Sequence, residues 1–131
     1  MKRRNRAEGD KVVHAPIVVI LGGQEYKINI LVIKDSRPWR AKVVKALSKL
    51  PEYTKVTTDD SELFGKAIDA MLVGMPDTVL DLFFEYAKSL DREEIEDVAS
   101  DAEVAKAFEQ VVEVAFPLAN SLVGTMTSFS Q

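Results

Sequence analysis

The residues that could do chemistry in this chain are few, and they do not assemble. His14 is the one histidine, and there is no cysteine at all. A lone imidazole without a second histidine or a thiolate does not build a zinc site, and nothing beside it forms a serine–histidine–acid relay. The absence of cysteine also excludes a disulfide scaffold and a thiol nucleophile. Gly22-Gly23 lacks the lysine and spacing of a phosphate-binding loop and reads as a turn. The carboxylate pairs Asp59-Asp60 and Glu93-Glu94 are adjacent in sequence, which suits helix caps and solvated faces better than paired acid–base work. No nucleophile, base and orienting group can be drawn together, so the expectation is a protein that is not an enzyme and takes neither cofactor nor metal.

Charge offers a second kind of chemistry. Residues 1–11 carry five basic and two acidic groups, and residues 34–49 carry six lysines and arginines against one aspartate. Residues 77–113 reverse this, with twelve acidic against three basic groups. A chain with net charge −4 that is basic early and acidic late favours docking within itself or between copies over nucleic-acid binding. The arm has no aromatic residue on which a base could stack. The basic stripe of Arg37, Arg40, Lys42, Lys45 and Lys49 is therefore the candidate surface for self-association into a homo-oligomer.

The elements that must position these groups follow from hydrophobic period. The whole is α+β, mostly α: an N-terminal β-hairpin packed on four to five helices. Residues 1–11 are expected to be a disordered basic arm, residues 12–123 a single globular domain, and residues 124–131 a flexible end. PIVVIL (16–21) and EYKINILVI (25–33) read as strands joined at Gly22-Gly23. In the second strand Tyr26, Ile28, Ile30 and Val32 share the face expected to meet the core.

A first helix is predicted from an N-cap at Ser36, with Pro38 in its first turn and Pro51 beyond its end. Its apolar stripe is Trp39, Val43, Ala46, Leu47 and Leu50. A second helix is capped by Thr58 or Asp59 and broken at Gly74-Met75-Pro76. The third, over 77–90, is the most apolar, with Leu80, Phe83, Phe84 and Ala87 at its centre. Two capping boxes, Asp91 with Glu94 and Ser100 with Glu103, open a short helix near 92–99 and a longer one from 101 that Pro117 bends or ends.

Two apolar features leave a choice. Trp39 either packs in the core, which is the expectation, or anchors a partner. Phe116, Leu118, Leu122, Val123, Met126 and Phe129 continue an apolar supply beyond Pro117. They form either a partner-binding surface or a terminal segment docked on its own domain.

The stretches YKINILVIKDSRPWR and EVAKAFEQVVEVAFP carry a resemblance. A hairpin passes directly into a basic Ser-Arg-x-Trp-Arg helix, acidic helices follow, and a final helix ends on Ala115-Phe116-Pro117. This is similar to the tail assembly chaperones of long-tailed bacteriophages, over most of residues 16–123. The resemblance implies a non-catalytic protein that binds the phage tape measure protein, keeps it soluble and helps recruit tail tube protein. It implies work in the host cell cytoplasm and absence from the mature virion. Many such chaperones exist in a second, frameshifted length. The resemblance assigns no binding residue.

Two other readings fit the same residues. One is a small phage structural protein, a head–tail connector or tail completion factor. The other is a DNA-binding regulator using residues 2–6 and the helix at 37–49. No apolar run approaches the length of a membrane span, and the run from Ala15 to Leu21 reads as a strand, so no membrane partner is expected.

Overall fold

The computed structural model of the chain describes residues 15–116. The expected arm at 1–11, His14, the residues Leu118, Leu122, Val123, Met126 and Phe129, and the flexible end at 124–131 lie outside the described residues.

The chain opens with an antiparallel hairpin of β1 (Ile17–Leu21) and β2 (Gln24–Ile28). Five helices follow: α1 (Ile33–Leu47), α2 (Ser61–Gly74), α3 (Pro76–Tyr86), α4 (Arg92–Val98) and α5 (Asp101–Ala115), with a short 3-10 turn at Pro51–Tyr53 between α1 and α2. The architecture is α+β and mostly α. Gly22 and Gly23 form the turn with φ of 63° and 74°, the left-handed pair that a two-residue hairpin needs to match strand twist. Along β1 the alternation is strict: Ile17, Val19 and Leu21 are buried and Val18 and Ile20 face out.

The second strand is shorter than the sequence predicts. Its ladder stops where Ile17 pairs with Ile28. The residue before Ile17 is Pro16, and no pairing is made beyond it. Beyond Ile28 the two-residue alternation therefore lapses. Ile28 is buried, Tyr26 and Ile30 are half-buried, and Val32 is 66% exposed.

α1 begins four residues earlier than predicted. Val32 stands at the N-cap without a side-chain cap, and Ser36 lies inside the helix, buried, its hydroxyl donating to the Ile33 carbonyl (3.5 Å). The early start sets Ser36 and Trp39 one turn apart on the same inward face. Pro38 then sits inside the helix, where its missing N–H leaves the carbonyl of exposed Lys34 to solvent.

The remaining boundaries are set by local caps. α2 is capped by Asp60, one residue beyond the predicted pair, whose carboxylate accepts from the Leu63 N–H (3.0 Å). Met75 ends α2 and starts α3, and Pro76 at the first helical position needs no donor. Asp91 caps α4 through the Glu94 N–H (3.2 Å). Ser100 and Glu103 form the full reciprocal box of α5.

α3 and α5 are central. α5 packs on β1 and on α3, and α3 also packs on α1 and α2. Phe83 and Phe108 are fully buried, and Phe84, Ala87 and Val112 are buried with them. Leu80, expected at the centre, is only half-buried; Leu82 and Tyr86 take that place because the inward stripe of α3 runs through Val79, Leu82, Phe83 and Tyr86. α3 ends at Tyr86 rather than Leu90, since Ala87 leaves the helical region and Leu90 closes a separate turn onto it.

Candidate functional site

Trp39 organises the inner wall. It is buried, its indole N–H donates to the Leu82 carbonyl (2.8 Å), and its ring meets Tyr86 edge-on at 4.9 Å. Tyr86 in turn accepts from the Leu31 N–H (3.1 Å), which holds the chain between hairpin and α1 against α3. Burial pushes the Tyr86 hydroxyl above its ordinary pKa, an effect that this hydrogen bond and the charge of Arg40 partly offset. Trp39 therefore belongs to the core, as its place on the apolar stripe of α1 predicts.

From Trp39 the aromatic packing continues outward. Phe116 lies 6.3 Å from the Trp39 ring and 4.8 Å from that of Phe64. The Phe64 and Phe116 rings close one end of an open groove of about 480 Å³ between α2 and α5. The two helices run antiparallel along it, because Phe64 meets Phe116 at one end while Asp69 acts on Glu109 further along. Its floor is apolar: Phe64 and Ile68 from α2, one turn apart, with Val112 and Phe116 from the α5 side, also one turn apart. Gly65 sits in the wall without a side chain, and a Cβ built there would meet nothing within 4 Å.

The rim is acidic. Among the described residues, Asp69, Glu109 and Glu113 line the groove against a single ammonium, Lys106. Partial desolvation, then the charges of Asp69 and Glu113, push the Glu109 carboxyl above its ordinary range. Asp69 thus acts on Glu109 across the groove, and Glu113 acts on it along α5.

The candidate residues from the sequence divide. Phe116 is 5% exposed and forms groove floor and core together, rather than part of a free terminal surface. On α1 the basic stripe is not one surface. Arg40 donates to the Ala115 carbonyl (3.4 Å), and Lys42 pairs with Glu85 of α3. Both are engaged inside the chain, and at Lys42–Glu85 the early basic and late acidic segments meet within one molecule. Arg37, Lys45 and Lys49 remain exposed.

No protein-family model, curated protein or solved structure matches the chain significantly. Among the described residues, no group of three or more histidines, cysteines or acids is placed to hold a metal ion. No helix among them is long and apolar enough to cross a membrane.

The groove does not announce itself in the sequence. Its floor residues look like ordinary core positions of two separate helices. Two signals are present nonetheless. Glu109 and Glu113 stand four apart on one helix, a like-charge spacing that costs a few tenths of a kcal/mol. Gly65 interrupts a run of good helix formers, and a glycine inside a helix costs about 0.5–1 kcal/mol relative to alanine.

Proposed function

We propose that this chain is a non-catalytic binding protein of phage tail assembly, a chaperone that holds the tape measure protein and helps bring tail tube subunits to it. The observation that carries the reading is the α2–α5 groove, an open trough between two helices floored by Phe64, Ile68, Val112 and Phe116. A groove of this shape suits the apolar face of a helix, a common mode of peptide recognition. A long helical client offers many such faces, so several copies could line it with modest affinity each and large avidity together. The sequence resemblance supplies the client. On this reading the protein acts in the host cytoplasm and leaves before the virion is complete.

Co-expression with the tape measure protein is the test. The client should move from the pellet to the soluble fraction when this chain is present. A client equally insoluble with and without it refutes the chaperone reading. Detection of the chain in purified virions would favour a connector or completion factor instead.

A further inference from the structure

We propose that the α2–α5 groove selects an amphipathic helix whose apolar stripe is bordered by lysine or arginine. This rests on the reading of the chain as a client-binding protein and adds the chemistry of the client segment.

Shape gives the first half. The lining on α2 runs from Ser61 to Asp69, which at the helical rise is about 12 Å, or roughly two turns. The groove is open to solvent along one side, so a helix lying in it keeps its other face in water. Its floor has paired apolar residues one turn apart on each wall. The matching ligand carries apolar residues at i, i+3 or i+4, and i+7.

Charge gives the second half. A helix lying on this floor puts its flanking residues beside Asp69, Glu109 and Glu113, with Lys106 the only positive group lining the groove among the described residues. Cations on the ligand would relieve a repulsion that the free protein carries, and anions would add to it. Such complementarity sets which partner is accepted more than how tightly it binds. Gly65 fits the same picture: a larger residue there would have room, would favour the helix, and would fill the groove.

The chain's own segments fit less well. Residues 117–131 contain no ionisable side chain, so they would leave the carboxylates uncompensated. Residues 1–11 are basic but contain one large apolar residue, Met1. A second copy could offer Ile33, 68% exposed, with Arg37 one turn on. That corner spans one turn, and the lining spans about two.

The experiment uses the full chain and three labelled synthetic helices of about 18 residues, long enough to be helical. One has a leucine stripe bordered by lysine, one the same stripe bordered by glutamate, and one lysine borders with serine replacing leucine. Fluorescence anisotropy should show the first binding, the second at least about tenfold weaker at low salt, and the third not at all. Gly65→Leu should lose the first peptide while melting no lower than the parent. The double variant Glu109→Lys/Glu113→Lys should reverse the preference between the first two.

Equal binding of the lysine- and glutamate-bordered helices overturns the proposal, as does undiminished binding by Gly65→Leu. Peptide binding that appears only after Leu122→Ser/Phe129→Ser assigns the groove to the chain's own terminal segment and also overturns it. Absent peptide binding with self-association abolished by Glu109→Lys/Glu113→Lys assigns it to a second copy, with the same consequence. If peptides fail while the tape measure protein is still rescued, the client chemistry falls and the chaperone reading stands. If the lysine-bordered peptide binds as expected but no rescue occurs, the reverse holds.

Discussion

Replacing Trp39 tests the packing that supports the groove. The ring is 3% exposed and touches Tyr86, Phe108 and Phe116 at centroid distances of 4.9, 6.1 and 6.3 Å. Trp39→Ala empties the space where hairpin-side, α3 and α5 side chains meet, and truncations of this kind cost about 3–5 kcal/mol. Against a total of roughly 5–15 kcal/mol for a domain of this size, that is a large share. At a typical slope of about 1.5 kcal/mol per molar, the urea midpoint should fall by roughly 2–3 M. Trp39→Phe keeps most of the ring but loses the bond to the Leu82 carbonyl, so it should cost about 1–3 kcal/mol. Far-UV circular dichroism during urea titration reads both without depending on the lost fluorophore. A Trp39→Ala midpoint within about 0.5 M of the parent would refute the reasoning, because it would mean that Trp39 is not the hub of this packing.

Three further outcomes follow from particular contacts. Gly22→Ala should destabilise more than Gly23→Ala by thermal melting: both have positive φ, but only at Gly22 does a Cβ strike Val98, at 2.6 Å from its Cγ2, and equal melting temperatures would contradict the close approach of this turn to α4. Gly65→Ala should raise stability by about 0.5–1 kcal/mol, since φ is ordinary there and the added methyl meets nothing; a lowered midpoint would show that the wall is not open. Glu103 accepts from the N–H groups of Ser100, Gly22 and Gly23, and these bonds hold its carboxyl below the ordinary range. The unfolded chain therefore binds this proton first, so the contribution is full above about pH 5 and is lost as acid approaches the folded value; Glu103→Gln should flatten the fall in stability below about pH 5, and an unchanged slope would remove Glu103 from the account.

What is legible in the sequence is whatever is decided within a few residues. The Ser100–Glu103 and Asp91–Glu94 signatures give two helix starts because each cap bond closes within one turn. Gly22-Gly23 gives the hairpin for the same reason. Where the deciding partner is distant, local pattern misplaces the boundary. The start of α1 depends on how Ser36 and Trp39 turn toward the core. The site is the least legible part. Phe64 and Phe116 are separated by about half of the described chain, and only the fold sets their rings 4.8 Å apart. The basic stripe on α1 looks continuous in sequence, yet Arg40 and Lys42 find partners in α5 and α3 that no local pattern discloses.

If a client helix lies in the α2–α5 groove, the soluble fraction of co-expressed tape measure protein will differ between the parent chain and Gly65→Leu. Both forms should be present at the same level and melt at similar temperatures, because the substitution meets open space and favours the helix. The parent should raise the soluble client, and Gly65→Leu should leave it in the pellet. Rescue by Gly65→Leu as complete as by the parent would place the client elsewhere and contradict the claim.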